Sequence, residues 1–212
     1  MAKEINNSVG ILTEDKLRER LNCDLIVRPI LDNKKQVSEG SINLRLGTKF
    51  ITTRRTEYGV LSPSELSAFT IRKFQTKLYY RFGQKILLHP NQLLLASTFE
   101  FIGLPPNLSA HVLSRSRYGR AGLIVATATY VHPNWKGTLT LELVNYGAAP
   151  IELECGAQIA QLVVQEATPL KRKTKKTKLV HIPTEPEFVE MDKDKDWELL
   201  KLFRKLSGLE EN

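Results

Sequence analysis

Between Ser41 and Gln165 the chain is a succession of short runs rich in Val, Ile, Leu and Thr, broken by Gly, Pro or Asn. That texture is the strongest constraint on its fold. Ser41-Ile42-Asn43-Leu44-Arg45-Leu46 alternates strictly, which puts Ile42, Leu44 and Leu46 on one face of a strand. Further strands are expected over 48–53, 84–89, 92–98, 108–114, 122–131, 137–145, 150–154 and 158–165. Short strands joined by turn residues indicate an antiparallel sandwich or barrel rather than βαβ units.

A helix is expected at each end of this block. The first covers 12–22, with Thr13 as N-cap, Glu14 and Asp15 in the first turn, and Leu17 and Leu21 one turn apart. The second covers 193–207, with Trp197, Leu200 and Phe203 or Leu206 as its docking stripe and Gly208 at its end. The organisation that follows is a β domain over 1–169 and a basic linker with a C-terminal helix over 170–212.

Charge is unevenly spread. Of 31 Lys and Arg against 23 Asp and Glu, six basic residues fall between Lys171 and Lys178, so the remaining chain carries only +2 of the net +8. This argues against a basic nucleic-acid-binding face over the fold. The run itself reads either as a solvated linker or as a segment touching phosphate. No stretch of 18 apolar residues is present, and Met1–Asn6 lacks the apolar core of a secretory signal, so no membrane partner is expected. Two distant cysteines, Cys23 and Cys155, fit a reducing cytoplasm, and neither they nor the four histidines pair at zinc spacing.

Two segments can carry chemistry. Ser114-Arg115-Ser116-Arg117-Tyr118-Gly119-Arg120 combines guanidinium forks, hydroxyls and turn amides, which suit a phosphate chain; an exposed basic turn is the alternative. No Walker sequence accompanies it. Pro133-Asn134 and Lys136-Gly137 mark a hairpin tip between two strands. In the second of these, Leu139, Leu141 and Leu143 share one face and Thr138, Thr140 and Glu142 the other. Glu142 either points to solvent or lines a cleft, where burial would raise its pKa and suit it to proton transfer.

In this order the segments resemble the dCTP deaminases, relatives of trimeric dUTPases, over about residues 11–166. The resemblance is carried by Gly40–Phe50, Leu95–Thr98 with Leu104-Pro105, Arg115-Ser116 with Arg120–Leu123, Thr127-Ala128 with Pro133, Trp135 and Gly137, Leu141-Glu142-Leu143 with Asn145, and Gly156–Leu162. It implies a distorted β-barrel or jelly-roll-like sandwich, assembled as a homotrimer with sites between subunits. It implies deamination of dCTP to dUTP and ammonia in the cytoplasm, without zinc, with Mg2+ bridging the triphosphate. Glu142 would be the general base, and Ser116 and Arg120 would position water and stabilise charge. Arg115, Ser116, Arg117, Ala128, Tyr130, His132, Trp135 and Gln161 would face the nucleotide. For Trp135 hairpin packing is the competing role, and for Gln161 a strand edge.

The chain departs from the family pattern at three places. His132 replaces the usual Asp before the hairpin tip, Arg117 replaces a second serine, and the C-terminal Tyr/Gln closing segment is missing. The first departure removes the carboxylate that dUTPases use to activate water. The departures together raise a nucleotide-binding sensor without turnover as the alternative to an enzyme, with dUTP pyrophosphatase as a third reading.

Overall fold

The computed structural model describes residues 10–53, 62, 73–126, 129–168, 186 and 195–206. In chain order the elements are α1 (Glu14–Cys23), β1 (Ile26–Arg28), α2 (Asn33–Gln36), β2 (Val37–Ser38), β3 (Ser41–Thr53), β4 (Gln75–Tyr79), β5 (Lys85–Leu88), β6 (Leu93–Thr98) and β7 (Phe101–Gly103). They continue with β8 (Leu108–Ser114), α3 (Ser116–Gly119), β9 (Leu123–Ala126), β10 (Tyr130–Val131), β11 (Lys136–Gly137), β12 (Thr140–Asn145), β13 (Ile151–Glu154), β14 (Gln158–Glu166) and α4 (Lys195–Leu206). The fold is mainly β with a short helix towards each end, and every strand pair is antiparallel.

The main sheet runs β10-β8-β14-β3-β6-β12-β9, with β2 and β4 added on β3; β1-β7-β11 and β13-β5 form two smaller sheets. The main sheet curls towards closure. The Val125 amide, on edge strand β9, donates to Ser114 Oγ at the end of β8 (2.8 Å), so the β9 edge meets a strand near the opposite edge. The result is a distorted barrel.

Alternation sets which residues enter it. Leu139, Leu141 and Leu143 are buried, along with Ile42, Leu44, Leu46, Leu94, Ala96, Leu162 and Val164 from neighbouring strands. Burying a leucine side chain contributes about 1.5–3 kcal/mol, and slipping β12 by one residue would exchange three leucines for Thr138, Thr140 and Glu142. That penalty holds Glu142 on the outer face.

Gly47 does not end a strand. β3 runs through it, with a register irregularity against β6 between Leu46 and Phe50. A Cβ at Gly47 would lie 2.5 Å from Ser97 Oγ and 2.7 Å from Ser97 O, so the glycine lets two backbones approach where side chains would keep them apart. The expected hairpin also resolves differently. The chain turns at Asn134, whose φ is 66°, but β10 pairs with β8 while β11 pairs with β7, so the two arms enter different sheets. α4 occupies its expected place, with Trp197 half-buried and Leu200, Phe203 and Leu206 exposed. Thr13 takes the N-cap position of α1 without a side-chain capping bond. The basic run 171–178 lies outside the described residues.

Candidate active site

The Arg-Ser turn grows out of β8. Arg115 follows the strand with its amide on Ile159 O (3.2 Å), and α3 then folds the chain back, with the Gly119 and Arg120 amides donating to Arg115 O and Ser116 O. Gly122 closes the turn at φ +92°, where an L side chain is strained. Its carbonyl accepts from the Tyr146 amide at 2.8 Å, so the turn rests on the loop that follows β12. Asn145 fixes that loop. Fully buried, it donates to Leu88 O and Ala149 O and accepts from the Gly147 amide.

Within the turn the cations are arranged rather than splayed. Arg115 Nη1 donates to Gln158 Oε1 at 2.6 Å, and Arg117 Nη2 approaches Gln158 O at 3.4 Å with its guanidinium 5.1 Å from the Tyr118 ring centroid. Partial burial, and after it the Arg117 charge, lower the Arg115 pKa from its ordinary value. Ser116 and Arg120 are exposed. Such a turn concentrates positive charge and a hydroxyl, the chemistry a polyphosphate requires.

Glu142 stands on β12 opposite Leu95 of β6 and Ala126 of β9. It is half-buried, and burial raises its carboxyl above the usual carboxylate range. Among the described residues its oxygens take no hydrogen bond or ion pair. A carboxyl desolvated yet unpartnered can both take and return a proton.

Among the described residues no hydrogen bond or ion pair links Glu142 to the Arg115–Arg120 turn. Leu123, just past the turn, faces Asn145, whereas Glu142 faces Ala126, three residues or about 10 Å further along the ladder. The remaining candidates scatter around β10 and the turn after it. Tyr130 is exposed, with its ring centroid 4.8 Å from His132 and 5.4 Å from His111. Trp135 packs against the core and directs Nε1 to Gly137 O at 3.4 Å. Gln161 lies on β14 between Leu113 and Asn43. Ala128 is outside the described residues.

Two groups escaped the sequence reading. Gln158, not Gln161, meets the Arg115 fork; its position as the first strand residue after the Gly156 turn was the available signal. Glu100 is fully buried, accepting from the Arg45 amide and Gln36 Nε2, both at 2.8 Å, and burial pushes its pKa up to about 7. A carboxylate between Phe99 and Phe101 was its signal. Among the described residues no group of three or more His, Cys, Asp or Glu could hold a metal ion, and no helix is long and apolar enough to cross a membrane.

A curled antiparallel barrel with a cationic turn against its β12 end places the chain in the dUTPase-like class of β folds. Within that class it belongs to the dCTP deaminase-like family, which residues 11–167 match. It is 38% identical over 165 residues to the dCTP deaminase of Halorubrum lacusprofundi, covering 76% of this chain and 80% of that protein. It is 32% identical over 161 residues to the dUMP-forming dCTP deaminase of Methanobrevibacter smithii, covering 76% and 82%. The crystal structure of 2'-deoxycytidine 5'-triphosphate deaminase from Agrobacterium tumefaciens superposes with a TM-score of 0.57 at 22% identity, covering 75% of this chain and 47% of that one.

Proposed function

We propose that this protein is a zinc-independent dCTP deaminase that converts dCTP and water to dUTP and ammonia. Family membership supports the reaction, and the desolvated, unpartnered Glu142 carboxyl is the observation that carries the mechanism. Glu142 takes a proton from water as the oxygen attacks C4 of cytosine, then passes a proton to the departing amino group. Neither the His-x-Glu nor the Pro-Cys-x-x-Cys signature of zinc deaminases is present, which agrees with the zinc-independent chemistry that the family resemblance implies. Ser116 orients the water, and Arg120 stabilises the negative charge that develops on the ring.

As the resemblance to trimeric relatives implies, the active unit is a homotrimer with sites between subunits, each combining the turn of one copy with the carboxylate of another; the lack of any bond between Glu142 and the turn within one chain supports this reading. Arg115 and Arg117 hold the triphosphate. The turn offers guanidinium and hydroxyl groups and no carboxylate, so Mg2+ would come with the nucleotide, where it would offset the charge of the triphosphate. Tyr130, His132 and Gln161 border the sugar and base. Residues 1–169 form the nucleotide-handling domain, with 170–212 as an appended linker and helix, and the protein acts in the cytoplasm.

The test is incubation of the purified protein with dCTP and Mg2+, with ammonia and dUTP quantified together. Tight dCTP binding without ammonia would leave a nucleotide sensor instead. The dUMP-forming relative favours a second reading, in which pyrophosphate is also released. Here His132 supplies no carboxylate to activate water at the α-phosphorus, so dUTP is the expected product.

A further inference from the structure

A cavity of about 280 Å³ opens between α1 and the β1–α2 segment, lined by Arg18, Leu21, Asn22, Arg28, Ile30 and Asn33. None of these belongs to the nucleotide site proposed above. One wall is rigidly braced. Arg18 donates through Nε and Nη2 to Glu14 Oε1 (3.0 and 2.7 Å), through Nη1 to Asn33 O and Oδ1 (both 2.9 Å), and through Nη2 to Val37 O (3.0 Å). Its charge is therefore balanced by Glu14, and Asn33 Oδ1 is already used as an acceptor.

Arg28 is in the opposite situation. It ends edge strand β1, is exposed, and its guanidinium takes no hydrogen bond or ion pair among the described residues. Asp32 is the one acid between positions 28 and 35, and its Oδ1 accepts from the Lys34 and Lys35 amides (3.0 and 3.1 Å). The open valences of the lining are thus mainly donors: the Arg28 fork, the Asn33 amide nitrogen and the Asn22 carboxamide. Leu21 and Ile30 add apolar surface. One uncompensated cation with neutral donors and a small apolar patch matches an oxyanion on a short apolar stem. The volume falls just below the ~300–1,000 Å³ of drug-sized pockets, which selects a ligand smaller than a nucleoside triphosphate.

We infer that this cavity is a second anion site, in which Arg28 with the Asn22 and Asn33 amides binds the phosphate group of a small phosphorylated molecule. Inorganic phosphate is the probe, titrated calorimetrically at constant ionic strength into an Arg115→Gln protein, in which the cationic turn is weakened. Phosphate binding is expected to survive in that background and to weaken about tenfold or more when Arg28→Gln is added, with Arg28→Lys in between. The Arg28→Gln protein alone should deaminate dCTP like the wild type. Equal phosphate affinity with and without Arg28 overturns the inference, and so does loss of dCTP turnover in Arg28→Gln alone, which would place Arg28 in the nucleotide site. Should Arg28→Gln fail to fold, Arg115→Gln crystals soaked in phosphate decide: density beside Arg28 supports the site, and its absence there refutes it.

Discussion

The Arg115 guanidinium is clamped by Gln158: Nη1 donates to the side-chain carbonyl at 2.6 Å, holding the fork over the start of β14. The clamp leaves its other donors for phosphate. Arg115→Lys keeps the charge but loses the planar fork, so one charge-assisted contact worth about 1.5–3 kcal/mol should go, raising the dCTP KM roughly tenfold or more. kcat should change less, because the triphosphate is held alike in ground and transition states. Steady-state ammonia release against dCTP concentration separates the two parameters.

Glu142→Gln should cost about 10²–10⁴ in kcat while leaving the fold intact, because the replacement is isosteric on an outward-facing position. Circular dichroism and oligomeric state serve as controls. Retained turnover would move the base elsewhere.

The wild-type pH profile follows from the same group. Burial raises the Glu142 carboxyl, and its ionised form is the active one, so kcat/KM should fall on the acid side with a midpoint above the ordinary carboxylate range. Glu142→Gln should lose that acidic limb from whatever rate remains. An acidic limb unchanged in the variant would assign it to another group.

Strand content and the outward placement of Glu142 were legible in the sequence because both follow from period-two alternation, as in Leu139, Leu141 and Leu143. Gly47 misled, splitting one thirteen-residue strand into two, because a glycine that permits close approach to Ser97 looks the same as one that ends a strand. The turn at Asn134 was legible from Pro133-Asn134, but turn chemistry cannot say which sheet each arm joins. The apolar stripe of α4 was likewise visible, whereas how much of it is buried depends on tertiary contacts. The three-residue strands β1 and β7 carry too few alternations to register. The Arg115–Gln158 clamp joins residues 43 positions apart, a pairing set only by the β8–β14 register.

Glu100 makes stability fall with pH. Its folded pKa of about 7 stands above the ordinary 4.5, because burial penalises the charge more than its hydrogen bonds to the Arg45 amide and Gln36 recover. Below pH 4.5 both folded and unfolded forms are protonated and nothing is lost. Between 4.5 and 7 the unfolded chain releases the proton first, and above 7 the full difference, about 3 kcal/mol, is gone. Urea unfolding at fixed protomer concentration should show wild type losing that much relative to Glu100→Gln between pH 4.5 and 8.

Gly122→Ala should destabilise by about 2–4 kcal/mol, from left-handed backbone strain and steric overlap together. A Cβ there would lie 2.5 Å from Gly147 N and 2.7 Å from Gly147 Cα, and a backbone cannot step aside as a side chain can. The Tyr146 amide bond to Gly122 O would go with it, loosening the turn that carries Arg115 and Ser116. The variant should therefore lose affinity for dCTP as well as stability, which calorimetry and urea unfolding read separately.

His132→Asp addresses the product. In the wild type the imidazole is edge-on to the Tyr130 ring, 4.8 Å between centroids, and supplies no fixed negative charge to the turn. Attack of water at the α-phosphorus needs a base, and a carboxylate at 132 would provide one at the position where dUTPases carry it. The variant should therefore gain pyrophosphate release from dUTP that the wild type lacks, while Glu142-dependent ammonia release from dCTP continues, since that chemistry uses a different carboxyl. Following pyrophosphate and ammonia in one reaction distinguishes the outcomes. If the wild type already releases the two in step, the product is dUMP, and His132 is then no obstacle to α-phosphorus hydrolysis.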